Sequence, residues 1–502
     1  MMPIDQVPNN IGYADLASIL NHVALITLQL CNRETNQQIN KSTNNPMNKR
    51  EFLKLSTVML GGAALSPIAA CQNPKEKSIS STVIKNWAGN ITYSTTNVLE
   101  PKNADQVHDL ITKCNKVRAL GTRHCFNTIA DSDANLLSSR YLNEIGQIDP
   151  VKGTITVGGG IRYGDLCKVL HARGFAIHNL ASLPHISVAG ACATATHGSG
   201  VTNGNLSTAV AAVELITGSG EKLNLSKDKN PDEFAGAVVN LGAMGVVTKV
   251  SLNVIPAFNV RQWVYLGLPV TQLAEHFDEI MASGYSVSLF TDWQTDKINQ
   301  VWIKRVSKDT DPATVPPMFF GAELADRDVH PILSISPENC TPQMGVAGPW
   351  YERLPHFKMD FTPSSGEELQ AEYFVPRDKA VQAIQAIAAK HREELKALLL
   401  ITEVRTVAAD DLWLSMAHGR DSVAIHFTLK PDTPGVMKFL PRLEETLRPF
   451  DPRPHWGKLF TMDPKELQSR YPRMEDFKAI VAKWDPEGKF RNKFIDHVFG
   501  AA

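Results

Sequence analysis

Apolar residues recur along this chain with two different periods, and the switches between them mark out its elements. From Asn103 to Val117, the residues Val107, Leu110, Ile111, Cys114 and Val117 fall on one helical stripe. A strand-like Val117 to Leu120 follows directly, so a helix packed on a sheet is predicted. Thr154 to Val157 is short and β-prone, ends in Gly158-Gly159-Gly160, and leads into an amphipathic helix over Tyr163 to Ala172 that Gly174 closes. Val210 to Ile216 and Val246 to Ile255 read as strands. Between them, Asn230-Pro231-Asp232-Glu233 opens a helix with a capping residue, a proline at the first helical position and early acids. Pro256 closes this first unit.

Beyond Pro256, strands (Gln262 to Leu266, Ser286 to Phe290, Val301 to Val306) alternate with helices (Thr271 to Ser283, Lys379 to Lys396), an α+β pattern. The proline-rich span from Pro312 to Pro363 is expected to form loops over one face. Two later strands carry polar pairs: Leu399 to Val407 holds Glu403 and Arg405, and Ser422 to Leu429 holds His426 and Thr428. A spacing of two in a strand puts each pair on a single sheet face. By themselves Glu403 and Arg405 fit a surface ion pair as well as a binding site.

The N-terminal quarter has a different character. After Met47, Asn48-Lys49-Arg50-Glu51-Phe52-Leu53-Lys54 gives a basic start, Leu55 to Ala70 is mostly apolar, and Ile68-Ala69-Ala70-Cys71 resembles the lipobox of bacterial lipoproteins. The apolar run is short for a membrane span, so residues 47–71 are expected to be an export signal, residues 72–82 a tether, and residues 1–46 upstream sequence or a disordered segment. The expected location is periplasmic or membrane-anchored, with the membrane reached only through a lipid on Cys71.

With 502 residues, 43% of them hydrophobic and 21% charged, the chain is long enough for two cores. A formal net charge of -1 leaves no basic field for a phosphate backbone, so no nucleic-acid partner is expected. Seven scattered cysteines without a Cys-x-x-Cys pair argue against a zinc site or a disulfide framework, and no metal is expected. There is no Gly-x-Gly-x-x-Gly after a strand and no Gly-x-Ser-x-Gly elbow.

Candidate chemistry gathers in Arg118-Ala119-Leu120-Gly121-Thr122-Arg123-His124-Cys125-Phe126-Asn127. There the chain leaves a strand, and Gly121 is expected to make the tight turn that presents His124. Its partner is Ala181-Ser182-Leu183-Pro184-His185-Ile186-Ser187-Val188-Ala189-Gly190, followed by the small-residue run Ala193 to Gly200, where backbone amides can approach an anion.

These stretches, with Gly242-Ala243-Met244-Gly245-Val246-Val247-Thr248, Gly348 to Arg353 and Gly488 to Phe494, resemble the vanillyl-alcohol-oxidase type of flavoproteins. Within that type the resemblance is to the alditol (xylitol) oxidases first and the sugar-lactone oxidases next. It implies an α+β fold of two units: an FAD-binding unit of the PCMH type over residues 83–256, and a substrate unit over residues 257–484, with residues 485–502 returning towards the first. It makes His124 the covalent anchor of FAD, through the flavin's 8α-methyl carbon, which requires a neutral imidazole. It assigns the cofactor to Ala119, Leu120, Gly121, Thr122, Arg123 and Cys125 in one loop. The second loop contributes Ser182, Ser187, Gly190, Ala191, Cys192 and Ala193, and Val247 and His455 lie close by. Cys125 stands where the family pattern has Ser, and Ala195 where it has Gly.

For substrate, the resemblance implies Ser182, Glu403, Arg405, Thr428 and Lys458, with Arg405, Lys458 and His426 as catalytic groups. Ala181 matches the small position beside the flavin that governs oxygen access. Trp456 reads as core. The implied reaction oxidises the C1 primary hydroxyl of an alditol such as xylitol or sorbitol to the aldose, with oxygen as acceptor and hydrogen peroxide as product. A sugar-1,4-lactone oxidase or dehydrogenase, or a non-catalytic sugar-binding lipoprotein, are the other readings. The sequence carries no indication of oligomeric state.

Overall fold

The computed structural model describes residues 83–308, 314–360 and 367–500. The expected upstream segment, export signal and tether lie outside the described residues.

The predicted first helix spans Ala104–Lys113, and the Asn103 side chain accepts from the Gln106 amide at 2.9 Å to cap it. It buries Val107 and Ile111 against Val117, Leu137, Ile216 and Val246. Strand Arg118–Leu120 lies at one edge of a three-stranded parallel sheet, beside Leu136–Ser138 and then Val98–Leu99. A second, antiparallel sheet of five strands runs in the order Ile145–Asp149, Thr154–Gly158, Val246–Asn253, Val210–Ile216, Lys222–Ser226. Helix Tyr163–Ala172 has the predicted bounds, and Gly174 beyond it takes φ +83°. Helix Pro231–Val238 starts where expected, but its Asn230 side chain makes no capping bond. The N1 proline and the first-turn acids Asp232 and Glu233 remain to mark that end.

The rest of the chain is built on a ten-stranded sheet. Its central run, all antiparallel, is Asn259–Pro269, Lys297–Ser307, Ser286–Thr291, Leu399–Val407, Ser422–Leu429, Leu369–Pro376. Alternation along these strands sorts the side chains onto two faces. On one face Val287, Leu289, Val301, Ile303, Val404, Ile425, Phe427, Ala371 and Tyr373 bury themselves against helices Val270–Met281, Ala380–Leu398 and Thr433–Leu447. The other face carries Lys304, Ser288, Arg405, Glu403, His426, Thr428, Glu372 and Gln370, all polar. A sheet normally turns such a face to water. Here most of these residues are buried, so this face must be covered by the first half of the molecule and must find polar partners within it.

The chain then turns back. Trp456, Met462, Tyr471, Met474, Phe477 and Trp484, part of the span the sequence assigns to the substrate unit, contribute to the core of the first half. Trp456 is fully buried, donates Nε1–H to the Leu414 carbonyl at 2.7 Å and packs on Tyr471. Near the C-terminus the Lys489 carbonyl accepts from the Val117 amide at 2.9 Å. The buried Arg118 guanidinium donates to the carbonyls of Phe490, Gly242, Leu241 and Ile129, tying the last segment to the loop that follows strand Arg118–Leu120.

Candidate active site

Between the two halves lies a cavity of about 850 Å³, large enough for a dinucleotide-sized ligand. One wall is made by the two predicted loops. Gly121 was expected to make the tight turn; the left-handed residue of the turn is Arg123, with φ +65°. What Gly121 supplies is space, because a Cβ there would come within 2.7 Å of Ser187 Oγ, and one at Gly190 within 2.8 Å of the same atom. Arg123 is held in its strained conformation from outside: its carbonyl accepts from the Trp87 amide at 2.8 Å and its guanidinium donates to the Lys85 carbonyl at 3.2 Å. The Trp87 ring then stacks on His124 at 5.5 Å, interplanar angle 20°, and the His124 Nδ1 lies 3.0 Å from Thr122 Oγ1. Burial, helped by His185 and Lys458, lowers the His124 pKa to about 4, so its ring is neutral. The sulfur of Cys125 behaves oppositely: burial pushes its thiol up to about 11, leaving it an inert packing group.

One further observation fits a bound nucleotide. Ser187 Oγ is buried among these small residues without a partner among the described residues, and a buried hydroxyl normally has one. Ala195, in the small-residue run, adopts φ +51°, the conformation that makes glycine the usual occupant. Ala119 to His124, Cys125, Ser182, Ser187, Gly190, Ala191, Ala193, Val247 and His455 all line the cavity. Cys192 does not: its sulfur lies 3.5 Å from the Tyr163 hydroxyl and packs in the core beneath the loop. His185, half-buried and not part of the cavity lining, is 2.9 Å from the Met359 carbonyl through Nε2.

The opposite wall is the polar face of the large sheet. Register places Glu372, His426 and Glu403 abreast on three adjacent strands, and Gln370 beside Thr428 in the neighbouring row. Arg405 bridges two carboxylates, donating from Nη2 to Glu372 Oε1 at 2.7 Å and lying 3.6 Å from Glu403 Oε2 through Nε. Its Nη1 donates to Ser182 Oγ at 3.3 Å, which joins sheet and loop. All three ionic groups are buried. Burial raises both carboxyl pKa values, but the Arg405 guanidinium and the hydrogen bonds from neighbouring histidines outweigh it. His197 and Arg405 hold Glu372 well below the usual range, and Arg405 and His356 do the same for Glu403. His197 sits between the Gly198 carbonyl, 2.8 Å from Nδ1, and Glu372 Oε1, 3.1 Å from Nε2. Gln370 Oε1 receives the Lys458 ammonium and faces His426 Nε2 at 3.1 Å. Lys458 also lies 4.8 Å from the centre of the Phe126 ring.

Burial lowers His426 to about 3 and His356 to about 4. Both are therefore neutral in the folded protein across the physiological range, whereas in the unfolded chain they titrate near 6.5. As pH falls below about 6.5 the unfolded state takes up protons that the folded state refuses. Stability is thus expected to be level near pH 7 and to fall between about pH 6.5 and 4, by up to about 1.4 kcal/mol per pH unit for each histidine. Below the ordinary carboxylate range, Glu372 and Glu403 add to the loss. Denaturant unfolding across this range checks it, and a flat free energy from pH 6.5 to 4.5 would count against neutral buried histidines.

Glu403, Arg405, His426, Thr428, Lys458 and Ser182 thus line one cavity together with His124. Burial excludes the surface ion pair for Glu403 and Arg405. Sequence reasoning passed over Glu372, Gln370, His197, Lys304 and His356. The one signal available for the first two was their period-two spacing just before the β-prone Tyr373-Phe374-Val375.

Residues 95–226 match the family model for an FAD binding domain, and residues 363–498 that for D-arabinono-1,4-lactone oxidase. Over 418 residues, 83% of this chain and 98% of the other, the sequence is 48% identical to an alditol oxidase from a Streptomyces species. It is 27% identical over 435 residues, 84% of this chain and 100% of the other, to an L-gulono-1,4-lactone dehydrogenase of Mycobacterium tuberculosis. It is 24% identical over 439 residues, 83% of this chain and 98% of the other, to the L-gulonolactone oxidase of Bos taurus. Among solved structures, a cholesterol oxidase from B. sterolicum superposes with a TM-score of 0.69 at 17% identity, covering 87% of this chain and 100% of that one, a likeness of fold.

Proposed function

Since this chain belongs to the alditol oxidase family of FAD-dependent oxidoreductases, we propose that it oxidises the C1 primary hydroxyl of an alditol to the aldose, with FAD held covalently on His124. The observation that carries this reading is the meeting, in one cavity, of a neutral His124 with Ser182, Glu403, Arg405, His426, Thr428 and Lys458. A polyol needs such a set: carboxylates to accept hydroxyl protons, and cations and hydroxyls to donate, all mounted on a rigid sheet.

FAD, when bound, supplies the hydride acceptor and passes the electrons to oxygen, which leaves as hydrogen peroxide. The chain's own residues handle the proton and the charge. The substrate hydroxyl becomes acidic as its carbon loses hydride, and the Arg405 and Lys458 cations stabilise the negative charge that develops on its oxygen. His426 donates Nε2–H to Gln370 Oε1, so its neutral Nδ1 is left as a hydrogen-bond acceptor for the substrate hydroxyl. Gly457 donates its amide to His455 Nδ1 at 3.0 Å, which places the His455 proton on Nε2. Ala181, lining the cavity with almost no side chain, keeps room for oxygen.

A C4 to C6 alditol series assayed for peroxide beside a sugar-1,4-lactone tests the substrate class. Each buried polar group left without its hydroxyl costs roughly 1–3 kcal/mol, so xylitol and sorbitol should give the highest kcat/KM and short mono-alcohols the lowest. A lactone preferred over every alditol would replace this reading with that of a lactone oxidase, which the match of residues 363–498 keeps as the second possibility.

The basic, apolar, lipobox-ended stretch up to Cys71 supports export and tethering through an acylated cysteine. Mass spectrometry of the native N-terminus reads it directly: a lipid-modified Cys71 is expected, and an unprocessed Met1 or Met47 would refute it.

A further inference from the structure

Lys304, in strand Lys297–Ser307, is fully buried, and among the described residues no carboxylate oxygen lies within salt-bridge distance of its amine. Its register partner is Ser286, and its side chain shares the polar face with Arg405 and Glu403 two strands away. Three acceptors surround Nζ: the Leu354 carbonyl at 2.5 Å, the Pro355 carbonyl at 3.2 Å and His356 Nδ1 at 3.2 Å. An ammonium has three N–H donors, one for each. A lysine donating to Nδ1 leaves the His356 proton on Nε2, and Nε2 is 2.7 Å from Glu403 Oε1. The His356 ring is itself boxed edge-on by Trp302 and Phe290, so it cannot turn to present its other nitrogen.

We propose that Lys304 and His356 are positioning residues: Lys304 fixes the tautomer of His356, and His356 occupies Glu403 Oε1, so that Oε2 alone is left to accept a substrate hydroxyl. The inference rests on the alditol reading and adds what selects for the substrate's hydroxyl at that point. A carboxylate with one oxygen spoken for and the other beside Arg405, 3.6 Å away, can take a hydroxyl in one direction only. It therefore recognises the position of that hydroxyl as well as its presence. Burial lowers Lys304 to about 7, with Glu403 and Cys340 opposing and Arg405 assisting, so the arrangement loosens as pH rises past neutrality. Deprotonation would leave one of the three acceptors facing a lone pair and release the tautomer of His356. The charged and titratable groups facing Lys304 are His356, Glu403, Cys340 and Arg405.

The test compares the holoenzyme with His356→Leu, His356→Gln and Lys304→Met, each checked for flavin content and melting temperature, using KM and kcat for xylitol from pH 6 to 9. His356→Leu is expected to raise KM at least tenfold with a smaller change in kcat. His356→Gln, whose amide keeps an N–H for Oε1, should return KM to within about threefold of the parent. In the parent, KM should climb as pH passes neutrality; in Lys304→Met it should be high throughout and free of that rise. A purely structural role would lower melting temperature in all three variants without separating glutamine from leucine. Equal KM for the two His356 variants, or a parental KM in His356→Leu, overturns the proposal while leaving alditol oxidation standing. A parent enzyme that turns over no alditol overturns both.

Discussion

Arg405→Ala is expected to lower kcat/KM for xylitol about a thousandfold, with most of the loss in kcat. Two costs combine. The guanidinium is the shared cation between Glu372 and Glu403, and removing it leaves two buried carboxylates facing each other with less positive charge nearby. Breaking buried pairs of this kind costs about 3–5 kcal/mol. The second cost falls on the transition state. A fixed donor aimed at a developing oxyanion contributes roughly 10²–10³ in kcat, and because that charge is absent from bound substrate, KM should move less. Arg405→Lys keeps the charge but cannot reach Glu372, Glu403 and Ser182 together as a planar fork does, so it should recover only part of the rate. Steady-state peroxide formation, normalised to flavin content, decides it. A kcat within tenfold of the parent would show that Arg405 is a structural bridge and not part of the chemistry.

His124→Ala should abolish the covalent flavin altogether. In the parent, colour should stay with the polypeptide after acid precipitation; in the variant it should pass entirely to the supernatant. The reason is local. His124 is the neutral imidazole placed at the cavity wall by the strained Arg123 backbone, stacked on Trp87 and hydrogen-bonded to Thr122. No neighbouring side chain can take its place: Cys125 lines the same wall, but its thiol is held protonated and is a poor nucleophile in that form. The variant should still bind FAD reversibly, because Ser187, Gly121 and Gly190 are untouched. Acid-stable colour in His124→Ala would move the linkage to another residue.

How much of this was legible in the sequence depended on which way each side chain faced. Strands Leu399–Val407 and Ser422–Leu429 were found with their observed bounds because both are dense in β-branched residues, and their period placed Glu403 with Arg405 and His426 with Thr428. Strand Leu369–Pro376 went unassigned although it is the neighbour of the second. Gln370 and Glu372 interrupt its apolar pattern because they point into the cavity, and a polar interruption in a short run looks like a loop. Lys304 was harder still. A lysine on a strand ordinarily faces water, and the carbonyls that hold it come from Leu354 and Pro355, in the proline-rich span that has no period to read. Gly121 was read as the maker of a tight turn, whereas the demand the structure puts on it is room beside Ser187. Cys192 sits in the right loop, but one position of helix Val188–Ala193 turns its side chain to the core. Position along a loop could be read, whereas orientation within it depended on contacts made tens to hundreds of residues away.

The most direct measurement mixes the purified, acid-stable yellow protein with xylitol in the absence of oxygen and follows flavin absorbance in a stopped-flow instrument. Saturable bleaching by xylitol at a rate no slower than kcat, restored on admitting oxygen with release of one hydrogen peroxide per flavin, is the expected result. Bleaching by a sugar-1,4-lactone with xylitol inert, or no bleaching by either, would contradict an alditol site on the Glu403, Arg405 and Lys458 face.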